Sequence, residues 1–373
     1  MHIAVDGRNL VSELSGLSRY LLEISAALSG RGHEISILLP ADPSTRSALP
    51  ADVHLDIARF NGAMGRFLWS ASLLPARVRR LNADVFWGPA HRLPPFLPAS
   101  LARVVTIHDL VWRRVPETMR LKGLIAERML MGPAIRQADI VCAVSQATVG
   151  DIVEYFPGVR DRVRLVPPPV AALSEKSAGL RNARRRFEEP YVLFVGTIEP
   201  RKNVEGLIAA FAQLPAATRA ACRLVICGGR GWRSREPAVL AGEAGIADRV
   251  TVIGHAGDEE LASLYAGARC LALPSFHEGF GLPIVEAQRF GVPVITSDRS
   301  SMPEVAGEGG LLVDPNDPRS ISAALERLFH DDALHADLSS RALANSARFS
   351  VERSAIAMEE ALEAAVVATR RRR

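Results

Sequence analysis

The 373 residues exceed one ordinary domain, and a typical size of about 150 residues per domain predicts two. Hydrophobic residues at 48% and charged residues at 23% match soluble globular chains, which excludes an intrinsically disordered chain and a membrane-embedded bundle. Net charge is only +4.

The chain opens on Met1-His2-Ile3-Ala4-Val5-Asp6, with an acid where a signal peptide needs an apolar stretch. No uninterrupted apolar run approaches the ~18 residues of a spanning helix, so the protein is expected in the cytoplasm, at most peripheral at the inner face of the membrane. Short β-branched runs at residues 2–5, 34–39, 85–87, 104–107 and 140–144 read as strands. Helix-like stretches such as 17–28 and 122–137 lie between them, the alternation of parallel α/β construction. Between Arg66 and Arg136 stand twelve Lys or Arg against Asp84, Asp109, Glu117 and Glu127. Two readings stay open for this excess. One is an anionic lipid surface or a lipid-linked phosphate, where each basic group contributes about 1 kcal/mol; the other is an ordinary solvated Arg-rich face. Nucleic acid is not expected, because the stretch has few aromatics to stack bases and no recognisable nucleic-acid motif.

At Pro167-Pro168-Pro169 the rhythm stops, and a polar, basic passage runs through Arg184-Arg185-Arg186 to Glu189. Successive prolines remove backbone donors and favour an extended chain, which predicts a domain boundary. Strand-like runs resume at 191–195, 223–227, 250–253, 270–273, 292–296 and 310–313. The expected organisation is a first domain over residues 1–170, a second over 171–350 and a terminal helix over 351–373. The two doubly wound halves are expected to face each other across a cleft, with ligands at the carboxyl ends of the strands. Cys142, Cys222, Cys227 and Cys270 lie in or beside strand-like runs without a CxxC pair and read as reduced core thiols.

The segment richest in chemistry is Pro274-Ser275-Phe276-His277-Glu278-Gly279-Phe280-Gly281-Leu282-Pro283-Ile284-Val285-Glu286-Ala287. It follows a strand, and Pro283 suits the first turn of a helix. Glu278 then sits in the loop and Glu286 one turn into the helix. Glycines let backbone approach a ligand, and the N–H groups of a helix start attract phosphate oxygens. Carboxylates repel phosphate but accept from hydroxyls, so the pair suits a ligand with both groups, such as a nucleotide sugar. From spacing alone, an ordinary strand-loop-helix connection with a capping glutamate is as good a reading.

The segment resembles the E-x7-E signature of retaining glycosyltransferase family 4, whose members have the two-Rossmann GT-B fold. The resemblance implies that Glu286 binds the ribose hydroxyls, that Glu278 lies beside the donor sugar, and that Gly279, Phe280, Gly281 and Leu282 line the donor. A second match is Gly196-Thr197-Ile198-Glu199-Pro200-Arg201-Lys202-Asn203. Two cations at the opening of a helix over 204–214 oppose its dipole by about 0.3–1 kcal/mol each, a conflict that an anion resolves. The segment is similar to the family's diphosphate site, which implies that Gly196, Arg201 and Lys202 meet the leaving nucleoside diphosphate. Many members carry arginine where this chain has Thr197.

His108, at the carboxyl edge of the 104–107 strand, matches a family histidine near the reacting carbon, which implies orientation and electrostatic stabilisation. Gly16 matches part of a glycine loop near the donor diphosphate, with Ser15 where a second glycine is common. Gly254 and His255 match a loop bordering the nucleotide base. Gly228-Gly229-Arg230-Gly231 is not a full GxGxxG. Ser145 matches a family serine and equally suits a helix cap.

The resemblance covers nearly the whole chain, and it implies that the terminal helix crosses back to the first domain. No D-x-D occurs, so no metal and no cofactor is expected, with Arg201, Lys202 and helix-start amides meeting the leaving group instead. The expected function is hexose transfer from a nucleotide sugar to a glycan or lipid-linked acceptor in cell-surface polysaccharide synthesis. The likeness of residues 196–203 to bacterial polysaccharide mannosyltransferases points to GDP-mannose. The alternatives are a nucleotide-sugar epimerase of the same fold and a catalytically silent nucleotide-sugar-binding subunit.

Overall fold

The computed structural model of the chain describes residues 1–11, 16–44, 49–50, 52–60, 62, 65, 68–170 and 187–372. Ser15, Arg66, Arg184–Arg186 and the rest of the 171–186 passage lie outside the described residues. The chain divides into two compact units: one is Met1–Leu110, Lys122–Pro169 and Phe349–Arg373, the other Val111–Leu121 and Val170–Arg348.

In the first unit, β1 (His2–Asp6), β2 (Glu34–Leu39), β3 (His54–Ile57), β4 (Val85–Gly88), β5 (Ala102–Ile107), β6 (Ile140–Ala143) and β7 (Val163–Leu165) form a parallel sheet in the order β3-β2-β1-β4-β5-β6-β7. In the second, β8 (Tyr191–Val195), β9 (Arg223–Cys227), β10 (Val250–Ile253), β11 (Cys270–Leu273), β12 (Val294–Ser297) and β13 (Gly310–Val313) are ordered β10-β9-β8-β11-β12-β13. Both sheets are doubly wound, with strand order reversing between β1 and β4 and between β8 and β11, and both units are Rossmann-like. Central strands are buried on both faces, which is why they read as continuous apolar runs. All four cysteines are buried and unpaired, and burial pushes the Cys142 and Cys270 thiols up to about 12.

The chain leaves the first unit after Leu110 and returns at Lys122. Between these points the Trp232 indole N–H donates to the Thr118 carbonyl at 2.9 Å, and Arg120 lies over the Trp232 ring at 5.2 Å. These contacts tie residues 111–121 to the second unit.

The terminal helix Val351–Arg370 belongs to the first unit. Its Met358, Ala361, Leu362 and Ala365 share one core with Ile3, Val5, Tyr20, Leu21 and Trp87. Near its end the Thr369 hydroxyl donates to the buried Asp139 carboxylate at 3.0 Å, and Arg372 pairs with the same group. Near its start, Arg31 and His33 meet Glu359 at 2.8 and 2.7 Å. The buried apolar stripe contributes more than these pairs, whose arginines are solvent-screened.

Leu362 is fully buried, so Leu362→Ala is expected to cost about 2–5 kcal/mol in urea unfolding. Ile356 of the same helix is exposed, and its change to Ala is expected to stay within about 0.5 kcal/mol. Equal effects would contradict the assignment of the apolar stripe to the core.

Candidate active site

β8 and β11 are neighbours, with Val192 opposite Cys270 and Leu193 opposite Leu271. The segments that follow them, remote in sequence, therefore emerge together at the switch point of the second sheet. The Phe276 N–H donates to the Arg201 carbonyl at 2.8 Å. Asn203 fastens the joint: its amide donates to the Pro274 and Pro315 carbonyls at 3.1 and 2.7 Å, while its oxygen caps the helix Val204–Ala212 at Gly206 N–H. Its φ of 56° lies in the left-handed region that asparagine tolerates better than most residues.

Arg201 and Lys202 occupy a short 3-10 turn, Pro200–Lys202, ahead of that helix. The Lys202 ammonium donates to Glu278 Oε1 at 2.6 Å, and the Ser275 hydroxyl donates to the same oxygen at 2.7 Å. Arg201 reaches Glu278 Oε2 at 2.8 Å and the His277 carbonyl at 2.7 Å with one nitrogen, and Glu199 at 2.6 Å with the other. Glu199, Lys202 and Glu278 are all buried. The conflict expected between two cations and the helix dipole is thus resolved inside the chain, by two carboxylates. Burial alone would raise the Glu278 carboxyl; Arg201, Lys202 and the hydrogen bonds from Lys202 and Ser275 outweigh it and hold the group at about 2 instead of 4.5.

The loop carrying Glu278 is pinned from below. The Ser301 hydroxyl sits 2.9 Å from both the Glu278 and Phe280 carbonyls, and the Ser300 hydroxyl donates to the Glu278 carbonyl as well. Gly281, at φ 98°, precedes the helix Leu282–Arg289; a side chain there would be strained, and its Cβ would lie 3.0 Å from Ile284. Pro283 is in the first turn, so Gly279, Phe280, Gly281 and Leu282 lead into a helix start whose N–H groups favour anions. One turn in, Glu286 is half-buried and accepts from the Tyr265 hydroxyl at 2.7 Å.

Gly196 ends β8 and lies against the Lys202 side chain. Beside it, a Cβ on Gly228 would stand 2.0 Å from the Gly196 carbonyl oxygen, so only glycine lets β8 and β9 end so close together. The Gly228 N–H in turn donates to the Gly254 carbonyl at 3.1 Å. Gly196, Gly228 and Gly254 therefore form a continuous carboxyl edge, with Gly254 and His255 exposed at its far end.

Gly16 and His108 belong to the first unit. Gly16 is the exposed first residue of the helix Gly16–Gly30. The His108 Nε2 lies 2.7 Å from the Pro89 carbonyl, which can only accept, so Nε2 carries the proton and Nδ1 the lone pair. Its backbone N–H donates to His91 Nε2 at 3.0 Å, and His91 faces Glu127 at 3.4 Å. Burial and the neighbouring His91 push the His108 imidazole down to about 3, so it is neutral near physiological pH. Ser145 is a cap: its hydroxyl accepts from Thr148 N–H at 3.0 Å at the start of the helix Gln146–Tyr155.

Sequence reasoning overlooked Glu199, Asn203, Tyr265, Ser275 and His91 as parts of these clusters. Glu199 had a signal, an acid two residues before Arg201. Tyr265 and His91 had none, because their partners are brought to them by the fold. Among the described residues, no group of three or more His, Cys, Asp or Glu converges as a metal site does.

Residues 14–172 match the family model described as Glycosyltransferase Family 4, and residues 180–344 match that described as glycosyl transferases group 1. The chain is 34% identical to O-antigen chain mannosyltransferase B of Escherichia coli over 282 residues, covering 74% of this chain and 73% of that protein. It is 31% identical over 222 residues to the serotype-specific mannosyltransferase WbdA of Escherichia coli, covering 57% of this chain but only 27% of that longer protein. Among solved structures, sucrose-phosphate synthase from Thermosynechococcus elongatus superposes with a TM-score of 0.76 at 22% identity, covering 96% of this chain and 98% of that one. This likeness bears on the fold.

Because the folded Glu278 carboxyl is depressed, its pairing contributes stability that is fully present above 4.5 and is lost as pH falls towards about 2. The stability difference between wild type and Glu278→Gln, read by urea unfolding, is expected to shrink steadily across that window. A difference that stays constant from neutral pH through the window would contradict the pairing.

Proposed function

Since the chain belongs to glycosyltransferase family 4, we propose that it transfers a hexose from a nucleotide sugar to a glycan or lipid-linked glycan in cell-surface polysaccharide synthesis. The observation that carries this reading is the cluster of half-buried Arg201 with buried Lys202 and Glu278 at the switch point between β8 and β11. Nucleotide ligands bind at such points in open α/β sheets. The adjoining helix start offers N–H groups for phosphate oxygens, and Glu286, steadied by Tyr265, offers a carboxylate for ribose hydroxyls. Mannose is the sugar we favour, supported by the mannosyltransferase names of the two bacterial relatives, with GDP-mannose as donor.

The bond between the anomeric carbon and the diphosphate oxygen breaks as the bond to the acceptor hydroxyl forms on the same face, retaining configuration. The acceptor proton passes to the departing diphosphate. Arg201, Lys202 and the helix-start amides meet the charge that develops on that group, so the reaction as proposed needs no metal. Gly196, Gly254 and His255 border the nucleotide in this reading, and Gly279 to Leu282 line the sugar diphosphate beside Glu278. His108, neutral and fixed with its lone pair on Nδ1, suits orientation of the sugar and not proton donation.

The first unit's helix Leu121–Gln137 exposes Ile125, Met129 and Leu130 alongside Lys122 and Arg128, which supports a peripheral anionic lipid surface as the place of the acceptor. Part of the basic excess of residues 66–136 is engaged within the chain: Arg77 pairs with Asp56, Arg92 with Glu127, and the exposed Arg136 lies over Phe156. In this reading the exposed apolar side chains of the helix act together with its charge. No helix of the described residues is long and apolar enough to cross a membrane.

With a panel of nucleotide sugars and a glycan acceptor, GDP-mannose is expected to be consumed with mannosylated product. Turnover of another donor beside none of GDP-mannose would reject the sugar assignment, and nucleoside diphosphate released without glycan product would point to an epimerase. Lys202→Ala is expected to lower kcat/KM by about 100- to 1,000-fold with folding retained; activity within a few-fold of wild type would remove Lys202 from the donor site. Co-sedimentation with phosphatidylglycerol vesicles is expected to fall when Ile125 and Met129 are both changed to Ser, and unchanged binding would contradict the helix as the contact.

A further inference from the structure

Both oxygens of Glu278 are spoken for: Oε1 accepts from Lys202 and Ser275, and Oε2 from Arg201. Glu199 takes the remaining arm of Arg201. Two cations and two carboxylates cancel, and burial removes most of the solvent screening that would soften their interaction with a newcomer. A diphosphate entering this arrangement meets two carboxylates as close as the two cations. It can bind tightly only if one of them gives way.

Glu278 is built to do so and Glu199 is not. The Glu278 carbonyl is held by Ser300 and Ser301, and its N–H lies 3.3 Å from the Ser300 hydroxyl, so the backbone is fixed while the side chain alone can rotate. Gly279 follows it. Glu199 immediately precedes the turn that carries Arg201 and pairs with it only two residues away, so the two stay together whatever enters the site.

We propose that Glu278 is a built-in stand-in for the donor diphosphate: in the free protein it occupies the cation pair, and the arriving diphosphate displaces it towards the sugar. This rests on Arg201 and Lys202 being the diphosphate site. The exchange keeps every charge paired. The cations trade a carboxylate for phosphate oxygens, and the released carboxylate accepts from sugar hydroxyls. Without a ligand, the stand-in spares the fold a buried Lys202 ammonium without its carboxylate, and it completes the pairing of Arg201 that Glu199 begins. It also separates donor from product, because a nucleoside diphosphate must displace Glu278 while offering it no hydroxyl in return. Product is therefore held more weakly than donor, and release is favoured by the same residue that positions the sugar.

The test is calorimetric titration of GDP, GDP-mannose, UDP and UDP-glucose into wild type, Glu278→Gln and Glu199→Gln, each checked for native unfolding behaviour. For whichever base the wild type accepts, Glu278→Gln is expected to bind the free diphosphate about tenfold tighter, as removal of a competing charge requires, with the donor's advantage over product largely gone. Glu199→Gln is expected to tighten donor and product together and leave their ratio unchanged. A folded Glu278→Gln that binds the diphosphate no better than wild type overturns the proposal, as does a ratio that shifts equally in both variants. Should Glu278→Gln fail to fold, Glu278→Ala, which also removes the competing charge, is read in the same way. Wild type that binds none of the four ligands overturns the assignment of the diphosphate site itself, a result distinct from the others.

Discussion

The pairing of Glu278 with Arg201 and Lys202 organises the switch point of the second unit, and the proposed donor chemistry rests on it. Taking these ions out of water costs several kcal/mol per ion, and the return comes only from close, fully hydrogen-bonded geometry. That geometry is supplied by strand order. Because β8 lies beside β11, two loops far apart in sequence meet, and Asn203, Ser275, Ser300 and Ser301 hold them at hydrogen-bonding distance. A left-handed Asn203 and a left-handed Ser300 at this joint are consistent with local strain retained where the surroundings over-determine the backbone.

The two sheets repeat one plan and use it differently. At the second unit's switch point, charge is concentrated and internally balanced. In the first unit, the group at the end of β5 is an imidazole kept neutral by burial and by His91, with its tautomer chosen by the Pro89 carbonyl. The same doubly wound scaffold thus places a neutral, oriented ring beyond one strand end and a charged, fully paired carboxylate beyond another.

Most of the architecture was legible because strands buried on both faces leave unbroken apolar runs. β3 and β7 were missed for the complementary reason: His54–Ile57 and Val163–Leu165 lie at the sheet edges, partly exposed, and alternate polar with apolar residues. The strand expected from Val292 begins instead at Val294, since Pro293 has no N–H to give the ladder. In the site, residue types could be read from the two motifs, but their pairing could not. Nothing in the spacing of Arg201, Lys202 and Glu278 says that they touch, because that depends on which strand neighbours β8. Tyr265 illustrates the same limit, a buried aromatic in sequence that becomes the anchor of Glu286 once helices are packed.

A crystal structure of the protein with its nucleoside diphosphate bound tests the central claim most directly. The account predicts phosphate oxygens within about 3 Å of the Lys202 ammonium and the Arg201 guanidinium, with Glu286 on the ribose hydroxyls and the Glu278 carboxylate turned away from both cations. A nucleotide bound elsewhere, with the Glu278 contacts to Arg201 and Lys202 intact, would contradict it.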